Sequence, residues 1–428
     1  MTGRAEERRP PIAVTGLGLV TSLGVGLEEN WKALAGGRSG VRRITRFDTE
    51  GLKVTIAATV DRLLEDPSGL RLMHQMSSDV VHEALTQAGL RSNREQAMPL
   101  YLGTAPATVA VGELMHLVER WREHGGRGRF SFLSAAEVES DVYARTSPAL
   151  LGSWLKRDFG FSGSPVLVTT ACASGASAIQ LAVESIRRGD CRTALAMGSD
   201  ASVIPDVLAR FAALQTLSHA NDPPEKASRP FSRDRDGFVM GEGSAALVLE
   251  HADHARARGA RILGWIRGCG ETIDTYHRTR SDPTGGTIAR CIQAALDDAR
   301  VEPDRVDHVN AHGTSTVEND RTEYLGIRQV FGERAHAIPI TANKSMLGHS
   351  LSAAGAIEAV ISIQTMLAGA IPPTINYDIP DPEIPLDVVS GAARAARPRF
   401  VLSNSFGFGG QNVSLLFEAA GGDGYLEP

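Results

Sequence analysis
The chain has 428 residues, 42% of them hydrophobic, a net charge of −6 and a pI near 6.1. That length accommodates one duplicated domain or two to three separate ones, and the acidic balance argues against a nucleic-acid partner. Aromatics make up 5% and glycine 44 residues, so the core is expected to be aliphatic and its turns tight. The four cysteines, 172, 191, 269 and 291, show no CxxC spacing, which suits reduced thiols in a cytoplasmic protein better than a disulfide frame.

Residues 11–27 are apolar and follow Arg8-Arg9, as in an export signal. Gly16, Gly18, Gly24 and Gly26 interrupt them, and Glu28-Glu29 follow with no small-x-small cleavage site. The stretch reads as a buried strand and a glycine loop. Gly16-Leu-Gly18 imitates a dinucleotide fingerprint, but position 21 is Thr where the third glycine belongs. No run of about 18 apolar residues occurs elsewhere, so no membrane span is expected. Periodicity predicts helices over 28–36, 70–90 and 111–124 and a strand over 100–104. Arg120, Arg122, Arg127 and Arg129 form the densest basic run; a solvated face is the preferred reading over a docking patch.

Residues 166–168 form a short β-branched run that stops at the small-residue turn Thr-Thr-Ala-Cys172-Ala-Ser-Gly175. Ile179, Ala182, Val183 and Ile186 then mark a buried helix face, and Gly189 stops the helix. Cys172 therefore lies where a strand hands over to a helix, whose N-terminal amides favour a thiolate. The plain alternative is a buried structural cysteine. Strands are expected over 193–197 and 262–266, and a loop over 218–237. The stretch 238–250 matches 406–418: each starts with Phe, has Gly three later and ends an apolar strand in Glu twelve later. This spacing suggests two related halves, 1–255 and 256–428, joined near the charged helical segment 251–259.

The second half continues with a helix over 285–300. A strand over 306–310 delivers His312, and one over 338–343 delivers Lys344 and His349. A small-residue helix follows from residue 353. Strands alternating with helices indicate an α/β architecture with chemistry at the strand ends. The glycine loop 404–410 can aim backbone N–H groups at an anion. A cysteine, two histidines and a lysine suit acyl transfer: a thioester on sulfur, imidazoles on a carbonyl, amides on an oxyanion. Metal binding is the weaker rival, because His308 and His312 lie in a strand context without the zincin glutamate. A cysteine hydrolase with a nucleophile elbow is another, but it leaves the second histidine and the lysine without a role.

TTACASG at Cys172, SRPFSRDRDGF at 228–238, NAHGTST at His312, NKSMLGHSLSAAG across Lys344 and His349, and NSFGFGGQN at 404–412 resemble the elongating β-ketoacyl-acyl-carrier-protein synthases over about 12–418. The resemblance implies the thiolase fold, with two duplicated halves in five αβαβα layers, working as a dimer. It implies a decarboxylating Claisen condensation with no dissociable cofactor, on substrates held by the phosphopantetheine of acyl carrier protein. By that resemblance Cys172 takes the acyl chain, and neutral His312 and His349 stabilise the enolate of the malonyl thioester. Lys344 is implied to pair with Glu323. The amides of Cys172 and Phe408 form the oxyanion hole, with Phe408 as a gate, and Thr314 and Thr316 bind the phosphopantetheine. Degradative thiolases need a later second cysteine, and priming synthases use a single histidine with Asn.

Residues 127–165 depart from the family pattern, the basic cluster before Met73 is reduced to Arg71, and the loop after Leu217 lacks its usual arginine. These departures favour type II polyketide synthesis over fatty-acid elongation. The partners are then acyl carrier protein and either a second copy or a chain-length-factor-like homologue lacking the cysteine. A cysteine acyl hydrolase and a non-catalytic carrier-binding subunit are the alternatives.

Overall fold
Runs in which every second apolar side chain faces the same way build a mixed sheet of 12 strands. The computed structural model describes residues 10–61, 69–90, 97–105 and 147–421, with Glu119, Arg122 and Glu123 besides. Apart from those three residues, the expected helix over 111–124 falls outside the description, as do Arg120, Arg127 and Arg129 and 127–146 of the divergent stretch. Five strands come from the first part of the chain: β1 Ile12–Thr21, β2 Leu100–Thr104, β3 Val166–Val168, β4 Thr193–Asp200 and β5 Gly243–His251. Five more follow: β6 Gly264–Ile273, β7 His308–Asn310, β8 Pro339–Thr341, β9 Phe400–Phe406 and β10 Gln411–Ala419. The other two strands of the sheet have two residues each.

Across the sheet the order is β3-β2-β4-β5-β1, then β6-β10-β9-β7-β8. The second set repeats the first outward from the β1/β6 seam, where Ile12–Val14 pairs antiparallel with Gly264–Ile266. Parallel pairing joins β2 to β3 and β4, and β7 to β8 and β9. The strands nearest the seam are antiparallel, so the sheet is mixed rather than parallel throughout.

The helices are α1 Leu27–Ala35, α2 Leu70–Gln87, α3 Pro148–Phe159, α4 Ser174–Arg187, α5 Pro205–Ala213, α6 Ala252–Ala257, α7 Gly286–Ala299, α8 Val317–Phe331, the single turn α9 Lys344–Leu347 and α10 Ala354–Ala368. On β5, Ala245, Leu247 and Leu249 face a central core with α4 and α10, whereas Ala246 and Val248 face α2 and α3. On β10, Val413, Leu415 and Phe417 face the same central core, and Leu416 faces α7 and α8. The two arms of the sheet on either side of the β1/β6 seam thus share one central helical layer, α4 with α10, and each is covered on its other face by helices of its own, in keeping with the layered arrangement that the resemblance implies.

Gly16-Leu-Gly18 lets a helix sit on a strand. A Cβ at Gly16 or Gly18 would lie 2.0 Å from the carbonyl oxygen of Ala84 or Val80 in α2. The same device recurs in β6, where a Cβ at Gly268 or Gly270 would lie 2.1 Å from a carbonyl oxygen of α7.

The expectation that no second long apolar run exists is corrected by the stretch Leu351–Ala368. It is long and apolar enough to cross a membrane by length and composition, and 83% of it is buried within the protein. A helix covered on all sides is expected to be mostly apolar around its circumference, and here the buried Glu358 is the charged exception.

Candidate active site
Cys172 occupies a strained corner. After β3 the chain turns through Ala171 at φ 50°, forms one 3₁₀ turn over Ala171–Ala173 and enters α4. A left-handed alanine is disfavoured on its own; Ser174 offsets this locally. Its Oγ accepts the N–H of Thr170 at 2.9 Å and donates to the carbonyl of Ala171 at 2.6 Å. From below, α10 presses in where glycine faces small residues. A Cβ at Gly175 would stand 2.7 Å from the Ala356 nitrogen, and one at Gly355 would stand 2.8 Å from the Ala176 nitrogen. The corner therefore rests on the central helix pair and presents sulfur upward, 7% exposed, into a cavity.

Burial raises the thiol's pKa to about 11, outweighing the N–H of Phe408, which points at the sulfur, and the Lys344 charge, both of which pull it down. Desolvation of the charged form thus outweighs the helix-terminal amides that favour a thiolate.

His312 follows β7, and its backbone is held by Glu323 of α8. The carboxylate accepts the N–H groups of His312 and Gly313 at 2.9 and 2.8 Å and the Asn404 amide at 3.2 Å. Burial lifts this carboxyl to about 7. His349 is strapped to the 238–241 segment: its N–H donates to Val239, and its carbonyl accepts from Gly241. The two imidazoles meet edge to face at 5.3 Å. Both have pKa values well below the ordinary histidine range, through burial first and the Lys344 cation next, so both are neutral at neutral pH.

Lys344 is where the implied pairing fails. Its ammonium bonds Glu358 of α10, not Glu323, and donates to the His312 carbonyl at 2.7 Å. It also lies 3.3 Å from His312 Nδ1. Glu323 is committed to two backbone amides and the Asn404 side chain, whereas among the described residues the Glu358 carboxylate has only the lysine for a partner, and its second oxygen is unpartnered. Burial lifts Glu358 as well, to about 7. A lone glutamate in the apolar run Ala-Ile-Glu358-Ala-Val was the available signal, because a buried carboxylate demands a partner. An ammonium beside Nδ1 makes that nitrogen an acceptor, leaving the proton of His312 on Nε2.

A cavity of about 340 Å³ is lined by Cys172, His312, His349, Thr314, Thr316 and Phe408, among others. Lys344 and Glu323 lie behind its wall. Thr314 and Thr316 share a hydroxyl contact at 2.9 Å, and Thr316 also caps α8 through the Asn319 N–H. The Phe408 ring stands 6.5 Å from that of Phe211, which stacks edge to face on Phe238 at 5.4 Å. The motif at 228–238 is a brace: Ser228 holds the Lys344 carbonyl, Phe231 N–H bonds Asp320, and Arg235 ties Thr316 to Asp381. His308 points away from His312, with Nδ1 2.9 Å from the carbonyl of Pro339. Among the described residues no group of three or more His, Cys, Asp or Glu side chains is placed to hold a metal ion. Arg71 and Arg122 are exposed. The loop between β6 and α7, which supplies His277, Arg278 and Arg280 to the cavity mouth, carried no signal recognised in the sequence.

What this assembly can do is form a thioester on sulfur with an amide beside it, and offer neutral imidazole N–H groups to a second carbonyl. Comparison with known proteins agrees. The family models described as beta-ketoacyl synthase, N-terminal domain, and beta-ketoacyl synthase, C-terminal domain, match residues 9–255 and 263–378. A tetracenomycin polyketide synthase ketoacyl synthase alpha subunit of Streptomyces glaucescens is 36% identical, over 97% of this chain and 98% of its own length. A 3-oxoacyl-[acyl-carrier-protein] synthase 2 of Coxiella burnetii is also 36% identical, over 96% and 98%. Among solved structures, a type II polyketide ketosynthase in complex with its acyl-carrier protein superposes with a TM-score of 0.84 at 33% identity, covering 96% of this chain and 99% of that one. The ishigamide ketosynthase/chain length factor gives 0.83 at 35%, covering 96% and 100%. The chain belongs to the β-ketoacyl synthase family and has the thiolase fold of its ketosynthases.

Proposed function
We propose that this chain is an acyltransferase that condenses an acyl group held on Cys172 with malonyl-acyl-carrier protein, giving β-ketoacyl-carrier protein and CO₂. One observation carries the reading: Cys172, His312 and His349 line one cavity, with the Phe408 amide on the sulfur. The Cys172 sulfur attacks the acyl thioester; a new C–S bond forms, and the carrier's thiol leaves with the proton. Malonyl thioester then enters. Its C–CO₂ bond breaks, and the electron pair passes into an enolate whose oxygen accepts hydrogen bonds from His312 Nε2–H and His349. The enolate carbon attacks the Cys172 thioester, the oxyanion rests on the amides of Cys172 and Phe408, and C–S cleavage returns the sulfur as a thiolate that takes a proton from water. Lys344, itself held by Glu358, fixes the His312 tautomer; Thr314 and Thr316 line the arm's path. No dissociable cofactor takes part.

The pathway we favour is type II polyketide synthesis, with this chain as the cysteine-bearing subunit. Fatty-acid elongation is the second reading, kept because the 3-oxoacyl-[acyl-carrier-protein] synthase 2 of Coxiella burnetii and the tetracenomycin alpha subunit are both 36% identical to this chain. The two halves are read as 1–255 and 256–428. The outer edge of β3 has no strand partner among the described residues, and Val166 on it is 37% exposed. An open edge is a template for another strand, here that of a second copy or of a chain-length-factor-like homologue. Four free cysteines suit a reducing, cytoplasmic setting. The test is to supply acyl- and malonyl-carrier protein together and measure CO₂ and β-ketoacyl product in step. Acyl release to water without malonyl would make the chain a hydrolase, and no adduct at all would make it a silent subunit. The mass of the chain purified alone separates homodimer from heterodimer.

A further inference from the structure
The loop joining β6 to α7 forms one side of the cavity mouth and is held rigidly. Asp274, 5% exposed, accepts the N–H groups of Tyr276 at 2.9 Å and Asp282 at 2.7 Å. Its own N–H donates to the Gly410 carbonyl at 2.7 Å, and the Gly409 N–H donates to the Arg278 carbonyl at 2.8 Å. The loop is thus bolted to the segment carrying Phe408, and Arg278 and Arg280 stand exposed on the rim of the cavity that has Cys172 at its base. The other charges of the lining are engaged. The Asp236 carboxylate accepts from Ser218 Oγ at 2.6 Å and His219 N–H at 3.0 Å. Glu318 pairs with Arg280 at 3.4 Å, and His277 Nδ1 accepts the Thr279 N–H at 3.2 Å. Arg278 makes no ion pair among the described residues.

A phosphopantetheine arm whose thioester reaches Cys172 leaves its phosphodiester at the mouth. We infer that Arg278, with Arg280 beside it, is an anion site for that phosphodiester and makes the cavity select phosphorylated over unphosphorylated arms. A guanidinium is suited to a phosphate by charge and by its fork of donors. Glu318 tempers the site by occupying Arg280, so Arg278 carries most of the selection. The inference rests on the proposed use of carrier-borne substrates.

The test is protection of Cys172 from iodoacetamide by S-methyl phosphopantetheine and by S-methyl pantetheine, which differ only in the phosphate. In the unmodified protein the phosphorylated compound should protect at a roughly three- to tenfold lower concentration, an advantage that shrinks as salt is raised. In Arg278→Ala the two should protect equally, at the concentration pantetheine needs in wild type; Arg278→Lys should keep part of the difference. Equal protection in wild type would overturn the inference. So would an Arg278→Ala variant that weakens both compounds alike, since the residue would then act through the Phe408 loop. Failure of the proposed function appears separately, as absence of an acyl adduct from acyl-carrier protein, and does not alter the protection result.

Discussion

The corner at Cys172 has a counterpart at Leu351–Ser352–Ala353. Ala171 stands at φ 50° and Leu351 at φ 43°; each opens a single 3₁₀ turn, and each turn feeds a central helix, α4 or α10. Gly175 and Ala176 on one side match Gly355 and Ala356 on the other, and these are the residues at which the helices touch. The backbone is repeated; the chemistry is not. Where the first corner shows a thiol to the cavity, the second has Ser352 bonded through N–H and hydroxyl to buried Asp200. Where α4 has Ala178, α10 has Glu358, which anchors Lys344. One half keeps the nucleophile and the other keeps the charge-handling groups, so a symmetric scaffold holds an asymmetric site.

If Glu358 is the only partner of a buried ammonium beyond a carbonyl and an imidazole, Glu358→Ala should cost about 3–5 kcal/mol of stability, read by denaturant unfolding. An Ala178 substitution of conservative size has no such charge to strand. A Glu358→Ala loss under about 1 kcal/mol would show that water or another group satisfies Lys344.

The two histidines sharpen the division of labour. His312→Ala and His349→Ala should each still form the acyl-enzyme yet release CO₂ from malonyl-carrier protein about 10²–10³ times more slowly, as when one oxyanion donor is lost. Wild-type decarboxylation in either variant would remove that histidine from the second half's chemistry.

The repeated packing device predicts matched effects. Gly16→Ala and Gly268→Ala should each destabilise by about 1–3 kcal/mol, because each Cβ would strike a helix carbonyl at 2.0–2.1 Å. Markedly unequal costs in thermal unfolding would mean that the halves are packed differently despite their shared strand order.

The most gradual expected effect is a pH slope. Glu323 titrates near 7 in the folded protein against an ordinary 4.5. Between those values the folded state keeps a proton that the unfolded state has released. Its contribution to stability is therefore full below about pH 4.5 and lost as pH rises towards 7, up to about 3 kcal/mol in all. Glu323→Gln should flatten that part of the stability profile; an unchanged slope would assign it to other buried carboxyls.

Much of this was legible in sequence for physical reasons. Strands β2 and β4 announce themselves as short apolar runs, and the turn at Cys172 does so through small residues between a β-branched run and a periodic helix. The matched 238–250 and 406–418 stretches end at Glu250 and Glu418, and both carboxylates prove to be buried clasps for arginines of neighbouring segments. What was not legible depends on three-dimensional proximity. The resemblance offered Lys344 only Glu323, and only the fold shows that this carboxylate already serves three N–H donors while Glu358 faces the ammonium. The thiol's proton affinity is set by how dry its surroundings are, which a helix end does not reveal. The GxG of β1 imitates a phosphate loop because close backbone approach is needed equally by a ligand and by a helix.

The most direct test is the intact mass of wild type and Cys172→Ala after incubation with acyl-carrier protein, followed by peptide mapping. The account predicts one acyl adduct on wild type, located on the peptide containing Cys172 and discharged only when malonyl-carrier protein is added, with none on the variant. An adduct on Cys172→Ala, or one mapped to the Ser352 corner, would contradict it.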